Sequence, residues 1–262
     1  MNIEVSILMP AHNVEKFIRQ SIQSVIDQEY NDWELLICDD YSSDSTKEIA
    51  MEMASVDQRI IFLENKSTPG AAVARNICLK ASRGRYIAFL DSDDMWSNEK
   101  LGSQIKYMKT NDLMMSHCDY SHISETGKSF GEIVFTPKII TKRMMSFSNF
   151  LPCLTVVYDS HLIGKTLTPI IKKRNDYALW LRIFHENPEL ISVKFDKSLA
   201  TYRVNSYGLS SNRREALYYH WLALQIGGYY HPAYAAVLTC FYLFIVFFKK
   251  FLPVAYSKMI NS

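Results

Sequence analysis

The sequence predicts an α/β fold, with a mainly parallel central sheet flanked by helices and a C-terminal apolar helical tail. Two patterns carry this expectation. In the N-terminal part, short apolar runs rich in branched and aromatic residues alternate with one-sided helical segments, as in βαβ units. In addition, Pro10, Asp40 and Asp91 each fall where such a run ends, the carboxyl edge at which open parallel sheets collect ligands.

The first expected strand is Val5 to Met9, stopped by Pro10. Asn13 then caps a helix whose apolar positions, Val14, Phe17, Ile18, Ile22, Val25 and Ile26, make a single stripe. Trp33 to Cys38 reads as a second buried strand ending in Asp39-Asp40. Ser43, Asp44 and Ser45 open a helix that turns Ile49, Ala50 and Met53 inward, and Ile60 to Leu63 is a third strand. Gly70 leads into an alanine-rich helix from Ala71 to Ser82.

Tyr86 to Leu90 is a fourth buried strand, and it ends in Asp91-Ser92-Asp93-Asp94. Three carboxylates within four residues repel one another, so the fold must supply a compensating charge. A divalent cation with hard oxygen ligands, Mg²⁺ or Mn²⁺, does this well and shares its shell readily with phosphates. The plainer alternative is a polar turn in which Ser92 or Asp94 caps the following helix.

Beyond Trp96 the regularity breaks. A helix is expected from Asn98 to Lys109, strands at Leu113 to Cys118 and Leu154 to Tyr158, and a hairpin around Glu125 to Lys128. The stretch onward to Phe150 gives no clear pattern. Asp176 to Phe184 has helical spacing, ended by Pro188, and Ser198 to Val204 is a last strand. Residues 1–212 are expected to form one domain in two halves, 1–96 with the regular βαβ pattern and 97–212 without it, and 213–262 a helical tail. Ala233 to Phe248 carries no charge and is followed by Lys249-Lys250. As a helix it spans about 24 Å, less than a hydrocarbon core of about 30 Å. It suits a core helix, a short span or a membrane-surface anchor; the flanking aromatics and lysines favour membrane contact through 229–252.

Composition narrows the function classes. At 262 residues, 48% hydrophobic and 21% charged, the chain can bury a full core. A net charge of +2 lacks the basic footprint of a nucleic-acid partner. Five scattered cysteines fit small core residues in a reducing cytosol and make no metal knuckle. Glu4 and the short run after it do not read as a secretion signal.

Six segments, in order, resemble the motifs of glycosyltransferase family 2. Val5 to Asn13 resembles its opening strand and P-x-x-N turn, and Cys38 to Thr46 its D-D-x-S-x-D-x-T. Gly70 to Asn76 resembles G-x-x-x-A-R-N, and Leu90 to Asp94 the L-D-S-D-D form of D-x-D. Asn175-Asp176 stands where the family carries an x-D motif, and Tyr202-Arg203 matches a later Y-R. The resemblance covers residues 3 to about 210. It looks closest to bacterial enzymes that build surface polysaccharide of the capsule, O-antigen or teichuronic-acid type.

This resemblance implies a GT-A, Rossmann-like fold and transfer of a sugar from a UDP-sugar to an acceptor hydroxyl. Pro10, Ala11 and Asn13 would line the nucleotide, and Asp40 would accept from the uracil imide or serve in an Asx turn. Arg75 would contact nucleotide or brace the Asp91 strand. Asp91 and Ser92 would face ribose or donor sugar, and Asp93 would hold Mn²⁺ or Mg²⁺ on the diphosphate. Arg203 would stabilise the leaving phosphates or pair with a carboxylate. Asp176 would be the general base of an inverting displacement, or simply a helix cap. A lipid-linked glycan acceptor implies work at the inner, cytoplasmic face of the membrane. A nucleotidyltransferase or a silent nucleotide-sugar-binding module is the competing expectation; the first would need a Gly-rich phosphate loop that Pro10 to Asn13 lacks.

Overall fold

A computed structural model describes residues 3–204 and 213–251. The chain runs β1 (Val5–Ala11), α1 (Ile18–Ile26), β2 (Trp33–Asp39), α2 (Thr46–Val56), β3 (Ile60–Glu64), α3 (Ala71–Ala81), β4 (Tyr86–Phe89) and β5 (Met95–Trp96). It continues with α4 (Lys100–Thr110), β6 (Met115–Ser124), β7 (Ser129–Val134), β8 (Ile139–Thr141), α5 (Lys142–Phe147) and a 3-10 turn at Cys153–Thr155. Then come β9 (Val157–Asp159), α6 (Ser160–Ile163), α7 (Asn175–Glu186), β10 (Ile191–Val204), α8 (Arg213–Ile226) and α9 (Pro232–Phe251).

One sheet has the order β3-β2-β1-β4-β9-β6-β10-β5, with β7 on β6 and β8 on β10. It is mixed, which corrects the expectation of a mainly parallel sheet. β3, β2, β1 and β4 are parallel, as the βαβ pattern implies. The short strand β9 then enters antiparallel between β4 and β6, while β5, β7 and β8 add further antiparallel pairs. These strands are short or follow hairpins, so they need no crossover helix and leave no βαβ rhythm in the sequence.

Alternate residues of the buried strands feed two cores. Leu8, Leu36, Ile87 and Phe89 face α3, α5, α7, α8 and α9. Ile7, Met9, Leu35, Ile37 and Ala88 face α1, α2 and α4. Covering on both faces explains why β1 and β2 are apolar without alternation.

Some local expectations change. Pro10 does not stop β1: it pairs with Cys38 inside the strand. The β1–β4 ladder closes with Leu90 N–H donating to Leu8 O, so the missing N–H of Pro10 falls where no partner is needed. Asn13 does not cap α1, which starts at Ile18; Asn13 has φ 51° and joins the β2 loop instead. β10 begins seven residues before the expected Ser198, and α5 and β8 arise in the stretch that gave no pattern. In the described part of the expected tail, 213–251, Ala223, Leu224, Ala235 and Leu238 are buried in the same core as Tyr177 and Trp180; residues 252–262 of that expectation lie outside the described residues. Among the described residues, no helix is long and apolar enough to cross a membrane.

Candidate active site

The carboxyl ends of β1, β2 and β4 meet at one rim. Asp40 N–H donates to Ala11 O (2.8 Å), and Asp40 O lies 2.7 Å from His12 Nδ1. The Asn13 N–H donates to Ser42 Oγ, and Asn13 Oδ1 accepts from the Ser43 N–H. Pro10 and Ala11 are buried beneath this seam, whereas the Asn13 amide is held by protein.

Asp39 and Asp40 divide their work in an unexpected way. The Asp40 carboxylate accepts from Asn65 Nδ2 (2.7 Å) and from the Gly70 N–H (2.8 Å), and so ties β2 to the start of α3. Gly70 sits at φ 150°, a region side chains disfavour, which turns that N–H toward Asp40. Asp39 accepts from the Ser42 N–H on Oδ2, but its Oδ1 is buried without a partner. A buried orphan carboxylate oxygen is costly, and it marks a place for a ligand donor.

One turn into α3, Arg75 is buried and directs its guanidinium to two elements. Nη2 pairs with Asp91 Oδ1 at 3.0 Å, and Nη1 donates to Asn175 Oδ1 at 2.6 Å. Burial works against its charge, but Asp91 and Asp176 outweigh it and keep the group protonated. The Asp176 carboxylate, in the first turn of α7, accepts from Asn149 Nδ2 at 2.8 Å. Burial pushes its pKa above the ordinary aspartate value; the Tyr177 N–H and Arg75 oppose the shift.

The turn after β4 is braced from behind. Asp94 N–H donates to Asp91 O, and the Ser92 carbonyl accepts from Ser21 Oγ. Asp94 caps no helix: its Oδ1 accepts the Arg203 N–H at 2.8 Å, while Oδ2 is buried without a partner. Burial, reinforced by Asp93 and Asp91, drives its pKa well above that of an ordinary aspartate. Arg203 is buried; it donates to the carbonyls of Asp93, Ser124 and Glu125 and to Gln20, and lies 4.8 Å over Phe17. Its donors therefore hold the acidic turn rather than point at a phosphate.

The structure thus brings Arg75, Asp91 and the Asp176 turn together, with Asp93 and Asp94 on the same loop and Asp40 linked through Gly70. Among the described residues, no three His, Cys, Asp or Glu side chains gather closely enough to hold a metal ion by themselves. Two surface clefts, of about 630 and 490 Å³, lie elsewhere, beside Arg19–Glu52 and Lys142–Tyr230. Sequence reasoning missed Asn65, Asn149, Asn175 and the orphan oxygen of Asp39. Only Asn175 carried a signal, as the neighbour of Asp176.

Residues 6–162 match the family model described as "Glycosyl transferase family 2". The chain belongs to glycosyl transferase family 2. It is a glycosyltransferase. It is 34% identical over 219 residues to the putative teichuronic acid biosynthesis glycosyltransferase TuaG of Bacillus subtilis, covering 83% of this chain and 85% of that one. It is 39% identical over 217 residues to the Escherichia coli protein WfgD, named UDP-Glc:alpha-D-GlcNAc-diphosphoundecaprenol beta-1,3-glucosyltransferase, covering 83% of each. The fold of this family 2 enzyme is similar to that of S. aureus TarS 1-349 in complex with UDP-GlcNAc, with TM-score 0.67, 18% identity, and 92% of this chain and 72% of that one covered. It is also similar to the mannosyltransferase PcManGT from Pyrobaculum calidifontis in complex with GDP-Man and Mn²⁺, with TM-score 0.63, 14% identity, and 97% and 78% covered.

Proposed function

We propose that this enzyme is an inverting, metal-dependent transferase that moves a hexose or N-acetylhexosamine from a UDP-sugar to a hydroxyl of a lipid-linked glycan in cell-surface polysaccharide synthesis. The observation that carries this reading is the bridge from Asp91 through Arg75 to Asn175, which holds the acidic turn against the helix that presents Asp176. The names of TuaG and WfgD support the polysaccharide setting and, for WfgD, the UDP-sugar donor and lipid-linked acceptor.

Pro10 and Ala11 form the floor under the base, and Asp39, with its unpartnered buried oxygen, replaces Asp40 as the acceptor for the base imide. Asp40 then acts one step back by setting the Gly70 loop, and Asn13 by tying the two strand tips. Asp91 and Ser92 face ribose or sugar. Asp176 takes the proton from the attacking hydroxyl, with its raised pKa suiting a base that works near neutrality.

The residues fit a divalent cation. Three carboxylates crowd one turn, Asp94 Oδ2 is buried without a partner, and the donors are hard oxygens. Asp93 would hold the ion, with diphosphate oxygens supplying the ligands that protein side chains do not. When bound, Mn²⁺ or Mg²⁺ supplies Lewis-acid stabilisation of the departing diphosphate.

The outward side of α9 supports work at the inner membrane face. Tyr234, Val237, Phe241 and Leu243 are about half exposed, and the sequence continues to Lys249-Lys250. The test is UDP release from a panel of UDP-sugars with Mn²⁺, with and without chelator and membrane extract. Release should need the metal and be lost in Asp93→Ala and Asp176→Asn; full activity in both variants overturns the reading.

A further inference from the structure

We propose that helix α9 is part of the catalytic apparatus: Tyr242, acting with His220 and Arg174, positions the turn of α7 that carries Asp176. This rests on the assignment of Asp176 as the base. Arg174 precedes that turn directly and sits at φ 57°, a conformation that non-glycine residues seldom adopt without external support. Its carbonyl accepts the first helical hydrogen bond of α7, from the Ala178 N–H at 3.0 Å.

The support comes from the C-terminal helices. Arg174 Nη2 donates to Tyr242 Oη at 2.7 Å, and its guanidinium lies 4.9 Å over the Tyr242 ring. His220 of α8 is stacked between Tyr242 (4.0 Å, 17°) and Tyr177 (5.1 Å, 22°), the residue that follows Asp176. Tyr177 is anchored in turn by its hydroxyl donating to Met145 O at 2.6 Å. Gly227, at the end of α8, packs so closely that an added Cβ would run into the Ala178 carbonyl. Residues on both sides of Asp176 are thus gripped by α8 and α9.

The stripe of α9 that turns inward, Ala235, Leu238, Thr239 and Tyr242, is separate from the outward apolar side. One helix therefore joins a surface contact to the seat of the base. Tyr242, His220 and Arg174 are positioning residues, since none of them is placed on substrate.

Two measurements test the clamp. The first is amide hydrogen exchange of the whole chain. Tyr242→Ala should speed exchange of the Ala178 amide about tenfold or more, while Tyr242→Phe, which keeps both ring contacts, should show a smaller change. The second is steady-state UDP release, using the UDP-sugar that the wild-type enzyme turns over fastest. Tyr242→Ala should lower kcat about tenfold with little change in donor KM, while Tyr242→Phe should keep most of the wild-type kcat. Unchanged exchange at Ala178, or a loss in Tyr242→Ala that appears in donor KM alone, overturns the clamp while leaving Asp176 as base. Full activity in Asp176→Asn alone overturns both.

Discussion

The Arg75 guanidinium is 4% exposed, yet its partner Asp91, 3.0 Å away, is 41% exposed. A buried cation thus holds an anion that still faces the open rim. Arg75 is fixed from the other side by Asn175, so the pair sets the spacing between the acidic turn and α7.

Replacing Arg75 with Met should release both contacts. The leftover Asp91 charge remains hydrated, so the stability loss should be about 1–3 kcal/mol, less than for a fully buried pair. UDP release should fall by more than tenfold. Urea unfolding and turnover, measured on the same preparation, separate the two effects; wild-type turnover would remove Arg75 from the site.

Asp39 and Asp40 should behave as opposites. Asp40→Ala strands the Gly70 N–H and Asn65, and should destabilise the fold by about 1–3 kcal/mol. Asp39→Asn should leave the melting temperature nearly unchanged and weaken UDP binding about tenfold in calorimetry. If Asp40→Asn is stable and loses UDP while Asp39→Asn binds normally, the base contact belongs to Asp40.

How far the sequence reached can be argued from such residues. The β1–β4 half was legible because each strand is continuously apolar, each helix has one stripe, and Asp40 and Asp91 end strands. The antiparallel insertions were not, because β9 has three residues and is paired by neighbours far away in sequence. The bracing of Asp94 by Arg203 spans 109 positions, and the Asn149 contact to Asp176 spans 27. Neither leaves a local pattern. Asp40 was the candidate and its neighbour Asp39 was not, and only the geometry of Gly70 shows that Asp40 is already engaged.

Arg203 offers a stability test without a catalytic one. It is 2% exposed and donates to three carbonyls and Gln20, so Arg203→Met leaves several part-buried acceptors without this donor. The expected loss is about 1–3 kcal/mol, or roughly 2–12 °C in melting temperature for a chain of this size. Calorimetry checks this; a shift under 2 °C would mean the acidic turn is held by something else.

Outward residues of α9 should govern attachment to lipid without touching chemistry. Val237→Glu with Leu243→Glu adds two charges to half-exposed apolar positions, outside the inward stripe that ends on Tyr242. Flotation with vesicles containing anionic lipid should weaken about tenfold or more, and binding of the wild-type chain should decline with salt because lysines contribute. UDP release without membrane should be unchanged. Equal flotation of both proteins would sink the surface contact.

The pH dependence of kcat should carry the mark of Asp176. Burial raises its pKa above 3.8, with Asp91 adding to the shift and the Tyr177 N–H, Arg75 and Arg174 opposing it. A base must be ionised to act, so activity should rise with pH through the raised value, and the acid limb should lie above the ordinary aspartate range. The stability consequence has the opposite sense. A carboxyl whose folded pKa exceeds its unfolded one binds more protons when folded, so between those two values the fold loses stability as pH rises. Asp176→Asn, which can still accept from Asn149, should therefore be inactive yet melt at or above the wild-type temperature near pH 7. A variant that melts well below wild type would show that the carboxylate is there to hold the fold, and its claim to the proton would fall.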